Sequence, residues 1–546
     1  MSADNNDFRV VFFEWRDNES LYKYTLGLHY LTAMLKKEGF FVKDMIFEVK
    51  DVDCVLEAVL NENPDMVGVH FYAGNEEVIF EFMSKLKAER PNITTVLGGH
   101  TATLYAASIL KKAPFIDVIS YGEGELTIVE LCTRLKNKES LRGCQGTFYR
   151  ENGVIQKNPP RPLIEDLDSL PFPDLSVLIE ENKKAKTVFG AISTSRGCKG
   201  NCGFCITNRV FDKQSEKTWR GRSPENVVAE ILHMQEVFRG KRLVYRIVDG
   251  SFEDPDPIEK TRLTRMIELF EEHDLHIPFG ILTRAESWHA NDEELIKRMK
   301  KAGLYEVAIG FEGCTNESLK AVNKRATVDD NYRAYDLFHR NGINIFGFLI
   351  MFHPYTKFDE LTQNAQFLLD MDMGYQTQNW WSELYLWPDS RMLPNIIHDG
   401  LLIGPGENGY EMKYAFVDGR VAKVQNVLHK VGILDSVLMC RETIEKYKIE
   451  SCIYGVWKEQ YDEFRRIEEE IGDYLNYYKE CRTKLGEAQC KLFLEILEVV
   501  KNDTIDEVEE DIIRRWDELL IDCHNEMERQ WIRYRMMFGR KKVTLI

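Results

Sequence analysis

The chain has 546 residues and a formal net charge of −18, from 89 acidic and 71 basic side chains. That length predicts about three or four domains, and a hydrophobic content of 44% excludes a chain that is disordered throughout. The acidic excess argues against nucleic-acid binding, because contact with phosphates requires a basic surface.

The amino terminus has neither the basic nor the apolar region of a secretory signal peptide. The most apolar long run, residues 343–352, is far shorter than the ~20 residues of a membrane helix. We therefore predict a cytoplasmic protein with no membrane span. Twelve cysteines are too few for a disulfide scaffold in a chain of this length, so clustered cysteines would indicate metal or redox chemistry.

Strands and helices alternate in the first part of the chain. Strands are predicted at residues 9–15, 66–72, 93–97 and 118–121, and helices at 22–37, 76–89, 102–112 and 126–136. Apolar strands in this order are typical of a parallel, doubly wound sheet, which binds ligands at the carboxyl ends of its strands. The residues at those ends are His70, Phe71 and Tyr72; Gly98, Gly99, His100 and Thr101; and Gly122, Glu123 and Gly124. Without a ligand, these glycines would form ordinary tight turns.

Three further regions follow this first domain of residues 1–145. Residues 146–188 are rich in proline and predict a linker. Residues 189–404 repeat the strand–helix pattern, with strands at 191–195, 245–248, 278–282, 306–311, 343–352 and 382–387. Six such units predict a partial (β/α)6 TIM-type barrel with its chemistry at the strand carboxyl ends. Residues 405–546 are predicted to be mainly helical.

Three cysteines form the sharpest motif in the sequence. Cys198, Cys202 and Cys205 follow a predicted strand with the spacing C-x3-C-x2-C, which suits one soft metal centre. A [4Fe–4S] cluster normally takes four cysteines, so three would leave one iron open for a cofactor. A structural zinc site would need a fourth ligand nearby, and neither cysteine nor histidine occurs between Cys205 and His233.

The spacing of these cysteines resembles the radical S-adenosylmethionine (SAM) superfamily, in particular the class with an N-terminal cobalamin-binding domain. Residues 96–103 (VLGGHTAT) and 121–125 (YGEGE) are similar to two turns of that class, and residues 152–173 are similar to its interdomain linker. The resemblance covers roughly residues 8–400. It implies an α/β protein with a Rossmann-like cobalamin-binding domain, a partial barrel and a C-terminal helical domain.

The resemblance also implies cofactors and residue roles. Cys198, Cys202 and Cys205 would hold the cluster, and its open iron would bind SAM for one-electron cleavage to a 5′-deoxyadenosyl radical. Asp249 and Ser251 lie in the segment similar to the one near the SAM amino group. Arg284 would meet the SAM carboxylate, and Glu312 would bind the ribose. Each of these residues would otherwise belong to a capped turn or a surface ion pair. Gly313 stands where the family has serine, so no role beyond Glu312 is transferred.

Cobalamin needs a separate argument, because the histidine motif D-x-H-x-x-G is absent. Residues 14–19 read EWRDNE, so that motif does not supply a lower axial ligand. His70, Phe71 and Tyr72 are the candidates for the lower face of cobalt. A face that does not ligate the cobalt would favour methyl transfer.

Substrate-binding candidates come from the end of the predicted barrel. Residues 379–388 are unusually aromatic, and alternation along a strand places one of two sets toward a cavity: Trp381, Glu383 and Tyr385, or Trp380, Ser382 and Leu384. Tyr385 is the catalytic candidate of this segment. His353 would act as a proton acceptor facing the substrate, or would cap its turn.

These features predict a methyltransferase that acts through methylcobalamin on an unactivated carbon or phosphorus of a small molecule or peptide. A flavodoxin or ferredoxin would supply electrons. Three alternatives remain: the same cofactors with ring contraction, cyclisation or oxygen insertion; a radical SAM enzyme that has lost cobalamin; and a non-catalytic sensor or electron carrier. The C-terminal region would cap the active site or mediate self-association.

Overall fold

A computed structural model describes residues 8–15, 25–48, 51–207, 219–253, 259–406 and 409–540. The chain forms two compact units. The first contains residues 1–198, 206–242 and 407–410, and the second contains residues 199–205, 243–406 and 411–546. No helix among the described residues is both long and apolar enough to cross a membrane.

The first unit is built on a seven-stranded sheet. The strands of this sheet are β1 (Arg9–Trp15), β2 (Phe41–Phe47), β3 (Met66–His70), β4 (Thr94–Gly98), β5 (Val118–Ser120), β6 (Thr147–Glu151) and β7 (Val154–Lys157). The first unit also contains three strands outside this sheet, β8 (Thr187–Ile192), β9 (Ser195–Gly197) and β10 (Trp219–Gly221). Its helices are α1 (Leu26–Lys37), α2 (Val52–Asn61), α3 (Glu76–Glu89), α4 (His100–Lys112), α5 (Glu125–Lys136), α6 (Ser176–Glu181) and α7 (Pro224–Val237). The sheet order is β2-β1-β3-β4-β5-β6-β7, and β1 to β5 are parallel.

This sheet agrees with the predicted doubly wound domain and adds elements that the sequence patterns missed. Only Val42 of the edge strand β2 is buried, and Lys43 and Asp44 interrupt the continuous apolar run that a buried strand would have. The antiparallel hairpin β6–β7 lies within the predicted linker and extends the sheet past β5. Most of the segment that would carry the D-x-H-x-x-G motif, residues 16–19, lies outside the described residues.

The second unit contains the barrel strands and the C-terminal helices. Its strands are β11 (Arg242–Ile247), β12 (Phe279–Arg284), β13 (Leu304–Glu312), β14 (Asn344–Leu349), β15 (Leu402–Pro405) and β16 (Met412–Tyr414). Its helices are α8 (Thr261–Glu272), α9 (Glu293–Ala302), α10 (Asn316–Ala321), α11 (Val328–Arg340), α12 (Phe358–Asp370), α13 (Leu393–His398), α14 (Gly419–Gly432), α15 (Asp435–Gln460), α16 (Asp462–Arg465), α17 (Glu468–Lys501) and α18 (Ile505–Arg540). Strands β11 to β14 run parallel in sequence order, and the predicted α/β fold class is confirmed.

The predicted sixth strand at residues 382–387 does not form along most of its length, and side chains take its place as hydrogen-bond partners of β14. Only a single bridge joins Phe352 to Glu383. Gln376 binds the backbone of Ile345 and Gly347, and the amide of Asn379 donates to the Gly347 carbonyl at 3.1 Å. These amides satisfy the backbone groups that a sixth strand would pair with on β14, and they blunt an edge that would otherwise be exposed.

The C-terminal helices pack on this substitute edge. The Gln489 amide of α17 donates to the Gly374 carbonyl at 2.9 Å, and the rings of Trp380 and Phe493 lie 5.3 Å apart. Gly486 of α17 meets Gly374 backbone to backbone. The helical region therefore completes the barrel where its strands stop.

A buried ion-pair cluster ties the same helical region to the barrel strands. Lys448 of α15 places its Nζ 2.8 Å from Glu306 Oε2, and Arg246 of β11 donates to the other carboxylate oxygen at 2.8 Å. The side chains of Lys448 and Glu306 are 5% and 4% exposed. The cations of Lys448 and Arg246 offset the burial of Glu306 and keep its pKa below the usual range.

Replacing Gly486 by alanine should destabilise the protein by about 1–3 kcal/mol, the usual cost of overpacking a close contact. A Cβ there would lie 3.1 Å from the carbonyl carbon of Gly374 and 3.2 Å from the nitrogen of Tyr375. Gly472→Ala on the same helix is the control, because no atom lies within 4 Å of its Cβ position. The control should be neutral or stabilising. Equal shifts of the denaturant midpoint in both variants would contradict the close packing.

Candidate cofactor sites

The cysteine loop is held by backbone hydrogen bonds on both sides. Cys198 directly follows β9, and Cys202 and Cys205 lie in the second unit. The Gly203 amide donates to the Val322 carbonyl at 2.8 Å, and the Met392 amide donates to the Gly203 carbonyl at 3.1 Å. These bonds fix the turn that carries the last two thiols.

A charged cluster surrounds Cys202. Burial raises the pKa of its thiol to about 11, which the ammonium of Lys324 opposes and Glu312 reinforces. Lys324 is 6% exposed, and its Nζ lies 3.8 Å from Glu286 Oε2. That carboxylate oxygen is buried with no hydrogen-bond partner among the described residues. A buried cation and a buried carboxylate oxygen therefore lie beside a candidate cluster ligand without a hydrogen bond between them.

Glu312 ends β13 in an uncommon backbone conformation. Its φ is +65°, in the left-handed region that residues other than glycine seldom adopt, and such conformations concentrate at functional sites. Burial raises its pKa to about 7, which Lys324 opposes and Glu286 reinforces. Burial therefore favours the protonated carboxyl of Glu312 more strongly than solvent would.

Arg284 and Ser251 meet at a second buried carboxylate, that of Glu253. Glu253 accepts hydrogen bonds from the hydroxyls of Ser251 (2.5 Å), Thr283 (2.6 Å) and Ser287 (2.9 Å). Arg284 Nε lies 3.9 Å from Glu253 and donates to Glu286 at 2.9 Å. Asp249 lies buried two residues beyond β11.

Glu253, Glu286 and Lys324 were missed by the sequence analysis. Glu286 lies in a short 3-10 turn after β12. Lys324 follows helix α10, so the rule that binding sites lie at the carboxyl ends of strands does not select it. The sequence Arg284-Ala285-Glu286 is the one local signal, because it places a cation and an anion two residues apart at a strand end.

In the first unit, the turns after β3 and β4 lie side by side. His70 pairs with Gly98 across these strands, and Gly99 has a φ of +103°. A Cβ on Gly99 would lie 2.6 Å from His70 Cδ2, so this close approach requires glycine. Burial lowers the pKa of His70 to about 4, with a further contribution from His100, so its imidazole is neutral.

The other predicted turn residues surround this pair. Phe71 is fully buried and stacks on Phe80 with ring centroids 5.7 Å apart, and the Tyr72 ring lies 6.0 Å from that of His70. His100 begins α4, where burial lowers its pKa, and Thr101 next to it is buried. The Gly122 amide donates to Thr103 Oγ1 at 3.2 Å, which links the 122–124 turn to the start of α4.

Glu123 makes its contacts within the protein. Its carboxylate accepts hydrogen bonds from Arg196 (2.9 Å), Arg220 (2.8 Å) and the Ile164 amide (2.7 Å). Burial opposes its ionisation, but the two guanidinium groups hold its pKa below the usual range. These contacts favour a structural role for the side chain.

His353 is buried, and both of its ring nitrogens contact protein groups. Nδ1 accepts the Tyr355 amide at 3.2 Å, and Nε2 lies 3.0 Å from Ser318 Oγ. The residue is 1% exposed, and burial lowers its pKa to about 4. These contacts favour the turn-capping alternative over proton transfer with a substrate.

Tyr385 belongs to the exposed side of its segment. Leu384 and Leu386 are buried in an apolar cluster that includes Phe204 of the cysteine loop. Alternation places Glu383, Tyr385 and Trp387 on the opposite side, and the rings of Tyr385 and Trp387 lie 4.5 Å apart. Of the two predicted sets, the structure therefore favours the one with Glu383 and Tyr385.

The resemblance implies that cobalamin binds on this turn, so Gly99→Ala should weaken cobalamin binding by about 10-fold or more, because overpacking costs about 1–3 kcal/mol and His70 must move. Gly153→Ala, at a φ of +77° with nothing within 4 Å of its Cβ, shares the backbone strain without the close contact. We expect it to leave affinity unchanged in a visible-absorption titration. Equal affinity losses would show that the turn does not contact cobalamin.

His353 should make stability depend on pH. Its pKa of about 4 in the folded protein lies below the ordinary histidine value of 6.5, so the unfolded chain binds the proton first as pH falls. The contribution is fully present above pH 6.5 and is lost toward pH 4, by about 3 kcal/mol at 1.36 kcal/mol per pKa unit. His353→Gln should reduce the slope of the unfolding free energy between these pH values by this share, while the share of His70 remains, and an unchanged slope would contradict the assignment.

Comparison with known proteins identifies two domains. Residues 192–368 match the model of the radical SAM superfamily, and residues 21–132 match that of the B12 binding domain. An uncharacterized methyltransferase of Pyrococcus horikoshii is 29% identical over 355 residues, which span 64% of this chain and 74% of that protein. An anaerobic magnesium-protoporphyrin IX monomethyl ester cyclase of Rubrivivax gelatinosus is 32% identical over 332 residues, 58% of this chain and 56% of that enzyme.

A solved structure supports the same fold. The cobalamin-dependent radical SAM enzyme OxsB, with aqua-cobalamin and SAM bound, superposes with a TM-score of 0.71 at 18% identity, over 98% of this chain and 82% of that one. The residues here also fit the cofactors: three thiols in one loop, an unpartnered buried carboxylate oxygen beside them, and a glycine turn against a neutral histidine. The chain therefore belongs to the radical SAM enzymes that carry a B12-binding domain, and its cofactors are a [4Fe–4S] cluster, SAM and cobalamin.

Proposed function

We propose that this radical SAM enzyme methylates an unactivated carbon or phosphorus of a small molecule or peptide. In this family, cluster-bound SAM supplies an organic radical and cobalamin supplies a transferable methyl group. The observation that carries the proposal is the neutral, buried His70 against the Gly98–Gly99 turn, because an uncharged face suits cobalamin as a methyl carrier. The methyltransferase of Pyrococcus horikoshii, 29% identical to this chain, supports it.

The chain's own residues prepare the SAM site. Cys198, Cys202 and Cys205 hold the cluster, and the ammonium of Lys324 offsets part of the cost of ionising the buried Cys202 thiol. Arg284 and Lys324 bind the SAM carboxylate by charge-assisted hydrogen bonds. Glu253 holds Ser251, Thr283 and Ser287 in place around Arg284.

Carboxylates of the protein bind two polar parts of SAM, its amino group and its ribose. Asp249 and Ser251 face the amino group, and Glu312 accepts from a ribose hydroxyl. Lys324 lies 3.8 Å from Glu286 Oε2, but no described residue donates a hydrogen bond to this buried oxygen, and a donor from SAM would supply one. The cost of burying a carboxylate oxygen without a hydrogen bond is thereby recovered when SAM binds.

In the first unit, the backbone turns bind cobalamin. Gly98, Gly99, His100 and Thr101 line one turn, and Gly122 and Gly124 line the next. Glycine lets the backbone approach the corrin closely. His70, Phe71 and Tyr72 would line the site that holds cobalamin, and the low pKa of His70 means that its side chain would carry no charge there.

The exposed aromatic pair of Tyr385 and Trp387 binds the substrate. Two rings 4.5 Å apart favour a planar or apolar group, and the Tyr385 hydroxyl positions the substrate or exchanges a proton with it. Glu383 lies on the same exposed side, accepts a hydrogen bond from Gln425 at 2.9 Å and is the neighbouring proton acceptor.

A second candidate function is cyclisation or another non-methylating reaction with the same cofactors. The observation that favours it is the 32% identity to the magnesium-protoporphyrin IX monomethyl ester cyclase. The two candidates differ in how SAM is used: methylation consumes one SAM as a methyl donor and one as a radical source, whereas cyclisation consumes SAM only for the radical.

Product analysis separates them. The anaerobic protein, reconstituted with iron, sulfide and cobalamin, is given methyl-deuterated SAM, a flavodoxin or ferredoxin reducing system and cell extract as the source of substrate. S-Adenosylhomocysteine together with 5′-deoxyadenosine, and deuterium in a product, is the result expected for methylation. 5′-Deoxyadenosine alone, with cobalamin bound, would establish the second candidate, and absence of both products would overturn both.

A further inference from the structure

A group of four buried charges links the turn after β5 to the antiparallel β9–β10 hairpin, whose first strand ends directly before Cys198. The arginine–glutamate quartet consists of Glu123, Glu125, Arg196 and Arg220. Arg196 of β9 donates to Glu123 at 2.9 Å and to Glu125 at 2.5 Å. Arg220 of β10 donates to both oxygens of Glu123, at 2.8 and 3.1 Å. All four side chains lie in the first unit.

The quartet is neutral only when it is complete. Arg196 and Arg220 stand directly opposite each other in the antiparallel β9–β10 pair, where like charges destabilise a hairpin. Their side chains are 16% and 5% exposed, so solvent screens them weakly. Glu123 bridges the two guanidinium groups and Glu125 supplies the second negative charge. The position of the hairpin therefore depends on where the 122–125 turn holds these carboxylates.

The hairpin in turn sets the start of the cysteine loop. Arg196 lies two residues before Cys198, and the intervening Gly197 has a φ of +83°. The 122–125 turn, which carries Glu123 and Glu125, also contains Gly122 and Gly124, which are candidate cobalamin contacts. One short segment therefore carries candidate groups for cobalamin on its backbone and the anchors of the cluster loop on its side chains.

We propose that the arginine–glutamate quartet couples cobalamin binding at the 122–124 turn to the position of Cys198, so that each cofactor strengthens the binding of the other. The inference rests on the cofactor assignment and not on which reaction follows. Thermodynamic linkage makes the effect reciprocal: a turn fixed by cobalamin holds Glu123 and Glu125, and a loop fixed by the cluster holds Arg196. Arg196 and Glu125 are thus positioning residues.

The test measures cobalamin affinity by visible absorption in the cluster-loaded protein and in the same protein after iron chelation. In wild type, the cluster should tighten cobalamin binding by about 5-fold or more, the lower end of typical coupling. In Arg196→Gln the two affinities should agree within about twofold, and Arg196→Lys, which keeps the charge without the fork, should restore part of the difference.

Glu230→Gln is the matched control. Glu230 of α7 is 2% exposed and pairs with Arg222, one residue beyond β10, so its loss removes a buried ion pair close to the same hairpin without touching the 122–125 turn. It should keep the wild-type difference. Glu125→Gln is the milder second variant if Arg196→Gln fails to fold, and it should reduce the difference as well.

A second readout does not depend on cobalamin affinity. The midpoint potential of the cluster, followed by electron paramagnetic resonance, should shift when cobalamin is added to wild type and should not shift in Arg196→Gln. Equal cobalamin affinities with and without the cluster in wild type would overturn the proposal, as would full coupling in Arg196→Gln. Neither result depends on product formation, so failure here is distinguishable from failure of the methylation proposal.

Discussion

Cys202→Ala is expected to abolish iron binding and SAM cleavage. The substitution removes a thiolate from a loop that offers three, and a cluster left with two local thiolates has no stable set of ligands. Formation of 5′-deoxyadenosine should fall by more than about 100-fold, since loss of even an outer hydrogen-bond partner of a metal site costs about 10–100-fold. Iron content and product yield, measured on anaerobically reconstituted protein, provide the check.

Cys314→Ala is the matched control for this loss. Cys314 is a buried thiol of the same unit and is hydrogen-bonded to Asn364. It lies outside the C-x3-C-x2-C loop, and burial raises the pKa of its thiol to about 12. Iron content should stay at the wild-type level, and stability should fall by about 1–3 kcal/mol for the lost partner. Retention of iron by Cys202→Ala, or its loss in Cys314→Ala, would refute the ligand assignment.

Lys448→Met should be the most destabilising substitution in the helical region, with a loss of about 3–5 kcal/mol. It removes the ammonium 2.8 Å from the buried Glu306 carboxylate, and breaking one partner of a buried pair leaves an incompletely compensated charge. The expected readout is a lower denaturant midpoint with an unchanged m-value. The C-terminal helices should then loosen from the barrel strands, because this cluster joins α15 to β11 and β13.

Lys446→Met, two residues earlier on α15, separates this effect from the general loss of a lysine. Lys446 pairs with Glu528 at 3.1 Å, but its side chain is 42% exposed. A surface ion pair contributes about 0–1 kcal/mol, so this variant should lie close to wild type. Similar losses in both variants would show that the burial of Lys448 has no special energetic consequence.

The sequence predicted the strands well where burial leaves a continuous apolar pattern. Strands β3 and β13 have nearly every residue buried, and β4 buries its three central residues. All three strands were predicted within a few residues of their observed bounds. The edge strand β2 buries a single residue and was missed. The sixth barrel strand was predicted from its aromatic residues, but the amides of Gln376 and Asn379 occupy the backbone groups of β14 that it would have paired with.

The same distinction applies to the candidate sites. The three cysteines were predicted from their local spacing, and Arg284 and Glu312 were predicted from the family resemblance at positions where strands end. Lys324 was not found, because its approach to Cys202 depends on how α10 returns to the loop. The capping contacts of His353 also depend on a residue distant in sequence, Ser318. Tertiary contacts between distant segments leave no periodic pattern in the sequence.

The backbone bonds of the cysteine loop have a consequence for biosynthesis. Gly203 is held by the carbonyl of Val322 and the amide of Met392, both far downstream in the chain. A nascent chain that has just emerged from the ribosome with its three cysteines therefore lacks the groups that shape their loop. We therefore expect iron to be delivered after residue 392 has been synthesised, when the three thiols lie in a folded loop and no longer in an unstructured peptide.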